Sequence, residues 1–76
     1  MSKFGRITQD INVMGGKPCI RGMRITVGAI LMQIGEGLTI PEVLKEYPLL
    51  EEEDVYEALR YAVWAMGIRE DLIVSA

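Results

Sequence analysis

Residues 16–27, Gly-Lys-Pro-Cys-Ile-Arg-Gly-Met-Arg-Ile-Thr-Val, constrain what this chain can fold into more than any other stretch. Two short apolar pieces, residues 18–20 and 25–27, flank the tetrapeptide Arg21-Gly22-Met23-Arg24. That layout predicts a tight β-hairpin, with Gly22 at a positive φ that a side chain resists. Gly15-Gly16 breaks the chain just before it. Pro18 suits the start of an edge strand, because it has no N–H to give to a ladder. Gly16, Pro18 and Gly22 are therefore read as structural positions. Beyond Val27 the apolar period changes from two to about 3.6, so the hairpin feeds directly into helices.

Ahead of the hairpin, residues 6–10 read as a short strand with Ile7 inward, and Ile11 and Val13 are expected to cover the core from the following loop. So little sheet is unstable alone; it must lie on the helices or pair with another chain. The first helix is predicted from about Val27 to Glu36, with Val27, Ile30, Leu31 and Ile34 on one face, Thr26 as N-cap and Gly35 or Gly37 closing it. In the second, Thr39 and Glu42 have capping-box spacing and Pro41 lies in the first turn. Ile40, Val43, Leu44 and Tyr47 repeat the apolar spacing before Pro48. The third runs from about Glu52 to Met66, with Val55, Ala58, Leu59, Ala62, Val63 and Met66 as its stripe and Gly67 as a stop. Glu51, Glu52, Glu53 and Asp54 meet the positive end of its dipole, each worth about 0.3–1 kcal/mol at best before mutual repulsion. The short 48–50 link is compatible with a helix-turn-helix pair.

The expected organisation is a single domain over 1–76: a β element at 6–27, a three-helix core at 27–66 and an apolar tail at 67–76. A chain this short buries only about 60% of its unfolded surface. Half of its residues are hydrophobic, which favours covering further surface in an oligomer or complex. One cysteine excludes an internal disulfide and fits a reducing cytoplasm. No run reaches the roughly 18 apolar residues of a membrane span, and no signal peptide follows Met1, so a cytoplasmic location without membrane attachment is expected. The net charge of −3 is unevenly spread: residues 1–24 hold five cations against Asp10 alone, whereas residues 25–76 hold three against ten carboxylates. Either the basic and acidic parts serve different partners, or they neutralise each other within one fold or across a dimer.

Little in the sequence looks catalytic. Histidine, the commonest general base, is absent. Cys19 has no imidazole to activate it and reads as a small core side chain. The Glu51–Asp54 run lacks the separated ligands of a magnesium site, and Gly15-Gly16-Lys17 lacks the spacing of a phosphate loop. The expectation is a non-enzyme with no cofactor and no metal.

Two surfaces are candidates for binding. The first is the cluster Lys17, Arg21 and Arg24, joined by Arg6, which suits nucleic-acid phosphates or an acidic protein face; alternatively, one arginine ties the hairpin to its own acidic helices. The second is the outer side of the third helix. There Trp64 falls opposite Val55, with Arg60 and Tyr61 beside it, and Leu72 and Ile73 in the tail extend the candidate protein interface. Something should cover this tryptophan: the tail, the β element, a second copy or another protein. Recognition of DNA by the third helix is disfavoured, because Glu51, Glu52, Glu53, Asp54 and Glu57 would approach the phosphates.

Gly16-Lys17-Pro18, Ile20-Arg21-Gly22, Arg24-Ile25, Val27, Glu36-Gly37 and Tyr47-Pro48 resemble domain-of-unknown-function family 433, over about Arg6 to Ala62. The third helix departs from that pattern at Glu51, where the family more often has Ser or Thr. The resemblance implies a mainly α fold: a three-helix, homeodomain-like helix-turn-helix bundle behind a small N-terminal β-hairpin. Some members resemble antitoxins that accompany nuclease-like toxins. The expected function is therefore an antitoxin-like interaction module, dimeric, binding a toxin-like partner protein and its operator DNA. The alternative is a helix-turn-helix DNA-binding regulator without a protein partner.

Overall fold

The computed structural model describes residues 4–67, and its centre of organisation is the turn at residues 20–23. The Met23 N–H donates to the Ile20 carbonyl at 2.8 Å. Both central residues, Arg21 and Gly22, carry positive φ, 46° and 75°. Two left-handed central residues make a type I′ turn, whose twist matches the strands it joins. The sequence pointed to Gly22 but not to Arg21, and a non-glycine residue in this region costs about 1–2 kcal/mol. The bonds made by the Arg21 side chain, described below, hold it there.

Strand β1 (Ile7–Thr8) pairs antiparallel with β2 (Cys19–Ile20), Ile7 opposite Ile20 and Thr8 opposite Cys19. The ladder partner of β2 is thus β1, and the expected second arm at 25–27 is reduced to one bridge between Cys19 and Thr26. Bonds from Ile20 N–H to Ile25 O at 3.0 Å and from Val27 N–H to Pro18 O at 2.9 Å flank that bridge. The arm stops because Thr26 also caps a helix: its hydroxyl accepts from the Ala29 N–H at 3.0 Å, and no strand can continue past that point.

Helix α1 (Val27–Gly35) closes on Gly37 at φ 99°. Leu38 N–H reaches the Gln33 carbonyl at 3.1 Å and Gly37 N–H the Ile34 carbonyl at 3.0 Å, the paired bonds of a Schellman motif. Helix α2 (Ile40–Glu46) starts with the expected capping box, in which Glu42 Oε1 accepts from the Thr39 N–H at 2.8 Å and Thr39 Oγ1 from the Glu42 N–H at 3.3 Å. Those bonds to Thr39 hold the Glu42 carboxyl below its ordinary range. Helix α3 (Glu52–Ala65) is the longest and packs on α1, α2 and β1.

Ile20, Ile30, Val43, Val55 and Ala58 form the dry centre, with Phe4, Ile7, Val27 and Leu50 around them. Cys19 is buried as well, its thiol on the Lys17 carbonyl, as a core side chain should be. Two expectations about burial fail. Ile11 is 77% exposed and does not roof the core; Phe4, ahead of β1, is buried there instead. Val63 and Met66 are exposed although they continue the α3 stripe. At 1.5 Å per residue α3 is about twice the length of α2, so its last turn runs past the helices that bury its first two.

Candidate functional site

The first turn of α3 holds an ion network whose arginine partners lie far away in the sequence. Asp54 is 0% exposed, the one charged residue buried among those described. Its Oδ1 accepts from Arg21 Nε at 3.1 Å and Arg6 Nη1 at 2.9 Å. Its Oδ2 accepts from Arg21 Nη2 at 2.9 Å and the Glu51 N–H at 2.8 Å. A carboxylate offers about four acceptor positions, and here all are occupied. Burial pushes the Asp54 carboxyl up, but Arg21, the Glu51 N–H and Arg6 together outweigh that, so it titrates below its ordinary value. The same bonds raise both arginines: Arg6 chiefly through Glu51 and Asp54, Arg21 through Asp54.

This network clips the β element to α3. The Arg6 N–H donates to Glu57 Oε2 at 2.6 Å and its guanidinium also reaches Glu51 Oε1 at 2.8 Å. Arg21 adds a bond to the Leu49 carbonyl at 3.0 Å, and its own N–H meets the Arg6 carbonyl at 2.8 Å. Thr8 Oγ1 accepts from the Gly22 N–H at 2.8 Å, fastening the turn to β1. The strained φ of Arg21 is thereby over-determined by its surroundings.

The four candidate cations divide accordingly. Arg6 and Arg21 tie the hairpin to the acidic helix start, the internal alternative open from the sequence. Lys17 and Arg24 are exposed and make no ion pair among the described residues; Arg24 lies 3.8 Å from the Met14 sulfur. The view of five carboxylates facing outward from α3 is corrected in the same way. Asp54 points inward, Glu51 and Glu57 bond Arg6, and Glu53 pairs with Arg60. No cluster of three or more His, Cys, Asp or Glu among the described residues is placed to hold a metal ion.

At the other end of α3, Trp64 is 55% exposed, with Val63 and Met66 exposed beside it. Trp64 is not bare on its inner side. The Phe4 ring lies tilted at 5.5 Å from it and edge-on at 5.3 Å from Tyr61, and Tyr61 lies 5.7 Å from Trp64. The segment before β1 therefore supplies part of the cover for this tryptophan, through Phe4. Its being the one phenylalanine of the sequence was the available signal. Arg60, also expected at this surface, is turned toward Glu53 and Glu57. Leu72 and Ile73, with the rest of the expected tail beyond Gly67, lie outside the described residues.

These features define a small, mainly helical protein whose two-stranded N-terminal hairpin is locked to its third helix by a buried aspartate. The chain belongs to the family described as protein of unknown function, DUF433, whose profile matches residues 7–62. Neither the curated proteins nor the solved structures yielded a match. No described helix is long and apolar enough to cross a membrane.

Proposed function

We propose that this chain is a small non-catalytic interaction module, antitoxin-like in kind, that works in the cytoplasm as a homodimer and binds a partner protein through the end of α3. The observation that carries this reading is the exposed group Val63, Trp64 and Met66 on the last turn of that helix. Tryptophan and tyrosine are common interface anchors, and neighbouring exposed apolar side chains of this size call for a cover. The antitoxin character rests on the likeness of the Gly-Lys-Pro to Tyr-Pro pattern to its family, in which some members resemble antitoxins. The partner of that kind is a nuclease-like toxin.

A DNA-binding regulator of helix-turn-helix type is the second reading, and Lys17 and Arg24 favour it. Both are exposed on the β end, where they meet no carboxylate among the described residues. Docking by the third helix is a weaker route, since Glu51, Glu52 and Glu53 remain exposed at its N-terminus.

Co-expression of the tagged chain with the product of the adjacent reading frame tests the choice. Retention of that product, lost on Trp64→Ala with Met66→Asp, is the expected result. Failure to retain it, together with specific binding to the gene's upstream DNA that Lys17→Ala and Arg24→Ala abolish, replaces the first reading with the second.

A further inference from the structure

Helix α1 has an uncharged outer face. From Ile25 to Gly35 the chain has no charged residue. Yet only Val27 and Ile30 of α1 are fully buried, while Gly28, Met32 and Gly35 are exposed, Met32 by 72%. A groove lies on either side of Met32. One, of about 390 Å³, is bounded by Lys17, Pro18, Thr26, Gly28 and Ala29 at the N-terminal end of α1. The other, of about 460 Å³, is bounded by Ala29, Gln33, Glu36, Leu38 and Tyr47 at the C-terminal end. Met32 and Ala29 line both. Gln33, which lines the second groove, has its side-chain oxygen buried without a hydrogen-bond partner.

We propose that this face is the surface through which two copies of the chain pair, α1 against α1 in antiparallel fashion about a two-fold axis beside Met32. The proposal rests on the reading that the chain self-associates, and it says where. Charge decides the occupant. The face carries a cation, Lys17, at one end and a carboxylate, Glu36, at the other, with an apolar knob between them. A two-fold axis lays the N-terminal end of one helix against the C-terminal end of its mate, so Lys17 of each copy meets Glu36 of the other, twice. Met32 of each copy seats in a groove of the other, and the missing side chain at Gly28 lets the helices approach closely. A parallel arrangement would oppose Lys17 to Lys17 and Glu36 to Glu36.

Sedimentation equilibrium of the full chain over a range of concentrations tests the proposal, with thermal melts confirming that each variant is folded. Wild type is expected to be a dimer at micromolar concentration. Met32→Asp should weaken it by about a hundredfold, the scale of a central interface anchor. Lys17→Glu and Glu36→Lys should each weaken it by about tenfold, since each turns two exposed attractive contacts into repulsive ones. The double variant Lys17→Glu with Glu36→Lys should return to within about threefold of wild type, because only coupled partners restore each other. A double variant no better than the singles, or a dimer indifferent to Met32→Asp and lost on Trp64→Ala, overturns the placement and leaves self-association standing. An 8.5 kDa species at every concentration overturns both.

Discussion

The two ends of α3 treat their side chains in opposite ways. At the first turn a carboxylate, Asp54, is wholly out of solvent; at the last, the largest aromatic side chain, Trp64, is more than half in it. Residue chemistry alone would have reversed the two. What differs is the material brought opposite each end. The β element delivers two guanidiniums to the first turn, and four donors there offset the desolvation of one carboxylate. Against Trp64 lie the tilted rings of Phe4 and Tyr61. A buried charge in this chain is thus part of its internal structure, and an exposed aromatic is the feature that faces outward.

The sharpest way to break the first end is to remove its anion. Asp54→Ala leaves Arg21 without a carboxylate and Arg6 with Glu51 alone, and breaking a buried pair from one side typically costs about 3–5 kcal/mol. Both arginine side chains keep about a third of their surface in water (32% and 38%), so partial rehydration puts the expected loss near the bottom of that range. Urea unfolding measures it; a loss below about 1 kcal/mol, the scale of an exposed pair, would reduce the network to surface decoration.

Acid titration approaches the same end without a mutation. The folded Asp54 carboxyl titrates below its unfolded value of about 3.9, so its contribution is complete above that pH and is lost as pH falls through the folded value. Melting temperature should therefore drop below about pH 4, and Asp54→Asn should flatten that limb. Glu42 acts with the same sign, so the difference between wild type and the Asn variant isolates Asp54. Identical acid limbs for the two proteins would contradict the assignment.

Gly22→Val attacks the turn that presents Arg21 to Asp54. No atom lies within 4 Å of the position its Cβ would take, so the cost is conformational, about 1–3 kcal/mol for a β-branched residue at positive φ. An unchanged melting temperature would show that the turn relaxes without strain. The other end is tested by its tryptophan. Trp64→Ala forfeits its contacts with Phe4 and Tyr61, about 0.5–1.5 kcal/mol for each ring pair, while partner retention should fall far more. Equal losses in folding and in binding would make Trp64 a core residue and remove the contrast between the two ends.

Some of this was legible residue by residue. Thr26 and the Thr39–Glu42 box act within one turn of backbone, and Gly37 and Gly22 stand where a positive φ is needed. The rules that read them use only neighbouring positions. The apolar faces of α1 and α2 follow from the same short spacing. Asp54 was different. Along the chain it is the last of four consecutive acids, and the Glu51-to-Asp54 spacing of a capping box was the one local clue. What sets it apart lies 48 residues away in Arg6 and 33 away in Arg21.

By itself, then, the amino-acid sequence determined where helices begin and end, where the chain reverses and that no histidine chemistry is available, because capping, left-handed turns and a 3.6-residue period are contacts between near neighbours. The tertiary structure decided which arginines are tied down, which of the α3 acids is buried, that Phe4 and not Ile11 roofs the core, and that Met32 and Trp64 stay exposed. Each of those depends on residues far apart in the chain arriving at one place. Desolvation and Coulomb attraction act on that proximity and take no account of sequence order.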